Sequence, residues 1–68
     1  MAMVLYNKER QVLELRKKGM KQEDIASRLR ISQPAVSSFE RNALKKIREA
    51  KQVVEIADSM GIKYDDDR

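Results

Sequence analysis

Ser32, Gln33, Pro34, Ser37, Ser38, Arg41, Asn42 and Lys45 crowd into one stretch, and their types change along it from small and hydrogen-bonding to cationic. On a helix, Pro34, Ser38, Arg41 and Lys45 share one side, with Ser37, Asn42 and Arg48 on its flanks. Short hydroxyl and amide side chains near a helix start suit the edges of nucleic-acid bases. Arg and Lys further along suit phosphates. Gln33 and Ser38 are the best base-reading candidates, although Gln favours adenine only when it reaches N6 and N7 together, and Ser accepts almost any base. Arg41 and Lys45 stand at i and i+4, a like-charge spacing that costs a few tenths of a kcal/mol in an isolated helix. A facing phosphate reverses that cost. The plainer reading of these residues is an ordinary solvated surface, and their setting decides against it.

That setting is the run from Gln22 to Phe39. It reads as a short helix, a tight turn and a second helix opened by Ser32-x-Pro34. This is helix-turn-helix spacing, in which the second helix lies in the DNA major groove. The expected architecture is all-α and tetrahelical, with helices at about 8–18, 22–30, 33–42 and 43–60. Asn7 can cap the first helix, Val12, Leu13 and Leu15 give it an apolar face, and Lys17, Lys18 and Gly19 close it. Glu23 and Asp24 open the second helix, whose buried face is Ile25, Ala26 and Leu29. Ser32 caps the third, and Pro34 sits in its first turn, where a missing N–H costs nothing.

No Pro or Gly interrupts the chain from Ala35 to Met60. One continuous helix over 33–60 therefore competes with two helices and a bend near Asn42, and the sequence leaves both open. Glu40 falls near the buried arc of Val36, Phe39 and Ala43 and is expected to pair with a Lys or Arg of the first two helices. Lys21 and Gln22 are placed to meet a phosphate at the start of the second helix. Compensation of Glu23 and Asp24 by Lys21 is nearly as good a reading, and Arg28 and Arg30 are ambiguous in the same way.

The apolar pattern continues through Ile47, Ala50, Val54 and Ala57 with gaps of three and four, a heptad seam of two repeats widened by Val53, Ile56 and Met60. It either folds back onto the first helix under Met3-Val4-Leu5 or pairs with its copy. The second is favoured, because the first half of the helix already supplies a core and an uncovered apolar patch marks an interface. A dimer would set two half-sites about one turn of DNA apart, or a multiple of that. Gly61 ends the helix, with Ile62 at the position of a Schellman contact. Asp65-Asp66-Asp67 reads as a solvated, disordered tail.

The 68 residues make one domain, divided as residues 1–48 for DNA binding, 49–62 for helical extension and dimerisation, and 63–68 for the acidic tail. Residues 1–48 carry 12 Lys/Arg against 5 Asp/Glu, and residues 49–68 carry 3 against 6, so a basic body adjoins an acidic end. A basic body favours a polyanionic partner. With no Cys and no His, the common soft metal ligands and the thiol and imidazole of catalysis are missing. No enzyme, cofactor or metal is expected. No apolar run approaches the roughly 20 residues of a membrane span, and Met1–Leu5 is short for a signal peptide, so no membrane partner and a cytoplasmic, nucleoid-associated address are expected.

Ser32-x-x-x-Val36-x-x-x-Glu40-x-x-Ala43-Leu44-x-Lys46-Ile47-Arg48 resembles the recognition helix of sigma-factor region 4. Val12-Leu13-x-Leu15-x-x-x-Gly19-Met20 followed by Glu23-x-Ile25-Ala26-x-x-Leu29 resembles the tetrahelical helix-turn-helix of the LuxR and sigma type. As a whole, the chain resembles small archaeal Tfx-type regulators, in which this block runs into a Lys/Glu-rich helical extension. The resemblance covers about residues 5–50. It implies a sequence-specific, double-stranded-DNA-binding transcriptional regulator with the recognition helix at 33–45, and it extends the candidate partners to RNA polymerase. Carried over by position, its base-facing sites fall on Gln33, Pro34, Ser37 and Ser38, and its phosphate-facing site on Lys21 and Gln22. Lys21 stands where the family usually has Ser or Thr, Arg30 where it often has Gly, and Pro34 and Ala35 where sigma factors often have polar readers, which moves specificity partly onto DNA shape.

Together the readings assign bases to Gln33, Pro34, Ser37, Ser38 and Arg41. They assign phosphates to Lys21, Gln22, Ser32, Asn42 and Lys45, and a homodimer interface to Ile47, Ala50, Val53, Val54 and Ala57. A protein-interaction module of the transcription machinery and a nonspecific chromatin-like coating protein are the alternatives.

Overall fold

A computed structural model describes residues 4–64, which form α1 (Asn7–Lys17), α2 (Gln22–Leu29) and α3 (Gln33–Ser59). The acidic run Asp65–Asp67 and residue Met3 lie outside the described residues. Among those residues, no helix is long and apolar enough to cross a membrane.

The α1 cap falls one residue earlier than expected. Tyr6, in extended conformation, is the N-cap, and Asn7 is already helical. The reason is Glu9, whose carboxylate accepts a hydrogen bond from the Tyr6 N–H at 2.9 Å, half of a capping box. All three helices end in the same way, with an N–H one or two residues past the cap reaching back five positions. Met20 reaches Leu15 at 3.1 Å, Ile31 reaches Ala26 at 3.0 Å, and Ile62 reaches Ala57 at 3.0 Å. Such a reversal needs a left-handed residue. Gly19 (φ 91°) and Gly61 (φ 71°) supply it for α1 and α3, but at α2 it is Arg30, with φ 59° and ψ 46°.

Of the two arrangements left open for 33–60, the continuous helix is the one present, so the chain has three helices. Ser32 Oγ accepts from the Ala35 N–H at 3.2 Å, Pro34 occupies the first turn, and no bend occurs at Asn42. With no Gly or Pro inside it, nothing interrupts the backbone ladder, and 27 residues span about 40 Å at 1.5 Å each.

The α1 and α2 helices pack on the first half of α3 alone. Val12, Ile25 and Val36 are fully buried, Leu15 and Ala26 nearly so, and Met20, Leu29, Ile31 and Phe39 close around them. Each of the larger side chains contributes about 1.5–3 kcal/mol when fully buried. Ala43 is the last buried residue of α3. Among the described residues the intramolecular cover stops at Lys46, whose Nζ donates to Glu9 Oε1 at 2.9 Å and to the Val4 carbonyl at 3.0 Å, and lies 3.8 Å from the centre of the Tyr6 ring. Beyond it, Ile47, Val53, Val54, Ile56 and Met60 are exposed, and Ala50 and Ala57 half-buried.

Candidate nucleic-acid interface

The α2–α3 turn is tight. Arg30 reverses the chain, Ile31 tucks toward the core, and Ser32 opens α3. This geometry leaves the outer face of α3 uncovered. Gln33, Pro34, Arg41, Asn42 and Lys45 are exposed along it, and Ser38 is half-buried between them. Of the residues expected to read bases and phosphates, Pro34, Ser38, Arg41, Asn42 and Lys45 thus lie along one helix, away from the side that carries Val36 and Ala43, with Gln33 at its start, whereas Lys21 and Gln22 belong to α2.

Ser37 and Gln22 behave differently. Ser37 Oγ donates to Gln22 Oε1 at 2.8 Å, and Gln22 Nε2 donates to Glu40 Oε1 at 3.0 Å. Glu40 Oε2 accepts from Arg16 Nε at 3.2 Å, and Arg16 Nη1 donates to the Met20 carbonyl at 3.1 Å. Four side chains from three helices form one chain of hydrogen bonds, and both ends of the Gln22 amide are engaged within the protein. Their role in this arrangement is to fix the roll of α3 against α1 and α2. The pairing expected of Glu40 with a cation of the first two helices is present, through Arg16. Lys21, the N-cap of α2, is exposed, and no side chain caps the first turn of that helix.

Two concavities flank the outer face. On one side an open groove of about 370 Å³ is lined by Arg16, Arg41 and Arg48 around Glu40. On the other a smaller one of about 290 Å³ lies between Asn42, Lys45 and Lys46 and the acids Glu9 and Glu49. The first carries three guanidinium groups against one carboxylate, which suits an anion. Arg48 was legible as a flank of the helix face. Arg16 was not, since only packing brings α1 beside α3.

Glu9 is 2% exposed and would be costly to bury unpaired. The Lys46 hydrogen bond is the main influence that holds its carboxyl below the usual carboxylate range. The Tyr6 N–H and the Lys46 charge act in the same direction, and burial opposes them. Among the described residues, no group of three or more acidic side chains could hold a metal ion.

No curated protein and no solved structure matches the chain. Residues 3–60 match the family model described as bacterial regulatory proteins, luxR family, a DNA-binding helix-turn-helix domain of transcription regulators. That match spans most of the 68 residues, and its limits enclose all three helices, the turn at Arg30 and the whole exposed face of α3. The chain therefore belongs to the LuxR family of bacterial regulatory proteins.

Proposed function

We propose that the protein is a sequence-specific transcriptional regulator that lays the first half of α3 in the major groove of duplex DNA. Gln33, Pro34 and Ser38 face the bases, with Ser37 presenting its remaining lone pairs. Arg41 reaches bases or the adjacent phosphate, and Ser32, Asn42 and Lys45 meet the backbone together with Lys21 and the N-terminus of α2. The observation that carries this reading is the uncovered outer face of α3, short and polar at its start and cationic beyond, held in a fixed roll by the Ser37–Gln22–Glu40–Arg16 chain. Within the LuxR family, the sigma-like residues of α3 and its direct run into a Lys/Glu-rich extension favour a Tfx-type regulator.

The protein acts as a homodimer joined through Ile47, Ala50, Val53, Val54 and Ala57. The support for this is the exposure of Ile47, Val53 and Val54, with Ala50 and Ala57 half-buried between them, on a stretch of α3 that no other element covers among the described residues.

The test is fluorescence-anisotropy titration of a random-sequence duplex pool over a range of salt, followed by sequencing of the tightest-bound fraction. An enriched motif is expected. Salt-dependent binding without enrichment would mark a nonspecific coating protein. No binding at low salt would leave a protein-interaction module of the transcription machinery, with polymerase as the first partner to try.

A further inference from the structure

Val36 and Val54 stand 18 residues apart on one unbroken helix, which is about five whole turns. The stripe that forms the core in the first half of α3 is therefore the same stripe that lies bare in the second half. Lys45 is nine residues from each of these valines, about two and a half turns, and so points directly away from both. The face proposed for DNA and the bare seam have opposite directions, and no bend in α3 reconciles them.

We propose that two copies pair antiparallel through this seam and that the dimer bridges two separate duplex segments. The inference rests on the DNA-binding reading above. Its occupant is a second copy, and charge and space select the arrangement.

In a parallel pair the seams meet at a helix separation of about 8–10 Å. The α1 and α2 helices of both copies lie on those same stripes as far as Lys46, so the two heads would have to share that gap. A parallel pair also sets Lys46 beside the partner's Lys51. In an antiparallel pair with Val54 against the partner's Ala57, Lys51 meets the partner's Asp58, and Val53 meets the partner's Met60. Both contacts occur twice by symmetry. The partner helix then ends at Ser59 opposite Gln52, more than one turn short of the head at Lys46. Shifting this register by one heptad sets Lys51 on the partner's Lys51 and drives Met60 toward Leu44, beside Arg16 of α1. Within one copy Lys51 lies 4.0 Å from Glu55, an exposed pair that holds it only weakly, and Asp58 accepts from the Tyr64 hydroxyl at 2.9 Å with oxygens to spare.

The symmetry axis of this dimer passes near residues 55 and 56. The two recognition segments, centred near residue 39, then lie about 50 Å apart along the rod at 1.5 Å per residue and face opposite ways. One straight duplex meets only one of them, which replaces the expected pair of half-sites about one turn apart on the same duplex.

Because the sequence has no cysteine, single cysteines report the pairing directly. Val54→Cys and Ala57→Cys proteins are mixed under oxidising conditions. The heterologous disulfide is expected to exceed either homologous one by about tenfold. Bridging is read by fixing a random-sequence duplex to beads at low salt, adding protein and then a labelled second duplex. Wild-type protein is expected to capture the second duplex. Val54→Asp is expected to bind the bead duplex and lose capture to background, with helical circular dichroism retained.

Val54→Cys self-crosslinking that equals or exceeds the Val54–Ala57 disulfide would overturn the antiparallel pair. Protein that binds the bead duplex as a dimer by sedimentation, without capturing a second one, would overturn bridging and leave the DNA-binding reading intact. A wild-type protein that binds one duplex as a monomer would overturn the dimer as well. Failure to bind the bead duplex at all would overturn both readings.

Discussion

Replacing Glu40 with Ala removes the single acceptor that serves both Arg16 and Gln22. The Arg16 side chain is 42% exposed, so water screens its ion pair and the contribution is about 0.5 kcal/mol. The Gln22 bond is partly buried and has a charged acceptor, and it contributes about 1 kcal/mol. The expected loss is about 1.5 kcal/mol. At about 4–8 °C per kcal/mol for a domain of this size, Tm falls by about 6–12 °C. The assay is thermal and urea unfolding followed by helical circular dichroism in a Val54→Asp background, which removes concentration dependence arising from pairing. Glu40→Gln keeps an acceptor and loses the charge, so it recovers about half of the loss. Adding Gln22→Ala to Glu40→Ala costs less than the sum of the single changes, because the two share a bond. Nonspecific DNA affinity at low salt moves the other way and rises, since a negative charge leaves the groove of Arg16, Arg41 and Arg48. A loss of stability below about 0.3 kcal/mol, with additive double-mutant behaviour, would refute the argument and show that apolar packing alone sets the roll of α3.

Arg30→Gly relieves a left-handed residue worth about 1–2 kcal/mol and adds unfolded-chain entropy worth about 0.5–1, so stability rises by about 0.5 kcal/mol in urea titration. Arg41→Ala weakens DNA binding and reduces the slope of log affinity against log salt by about one, while Tm stays unchanged; a large fall in Tm would instead make Arg41 structural. The carboxyl of Glu9 titrates lower in the folded protein than in the unfolded chain, so the stability it supplies is fully present above its ordinary carboxylate value and is lost as pH falls through the folded value. Melting curves taken stepwise from neutral pH down into the acid range show this loss, and Glu9→Gln flattens the part of it due to this group.

The elements were legible because they depend on neighbours in sequence. Ser32 and Pro34 mark the start of α3, Gly19 and Gly61 mark two helix ends, and the spacing of Ile25, Ala26 and Leu29 marks a buried face. Tyr6 took the cap expected of Asn7 because Glu9 is placed to serve the Tyr6 N–H, a choice local propensity alone does not make. Arg30 shows the reverse case: the turn demanded a left-handed residue, and packing of Ile31 on the core holds an unsuited one there. Apart from the pairing of Glu40 with a cation of the first two helices, pairings across helices were hidden. Glu9 and Lys46 are 37 positions apart, and Gln22 and Ser37, expected to face DNA separately, face each other. Such contacts depend on how helices roll against one another, which periodicity constrains only to a face.

The unbroken α3 also makes helical phase a design variable. Inserting one residue between Ala43 and Ile47 would turn everything beyond it by about 100° relative to the head, and inserting seven would restore it to within about 20°. A Pro or a pair of Gly in the same segment would replace that fixed angle with a joint. The number of residues between the last buried Ala43 and the first bare Ile47 is thus a dial that sets where the two ends of the molecule aim.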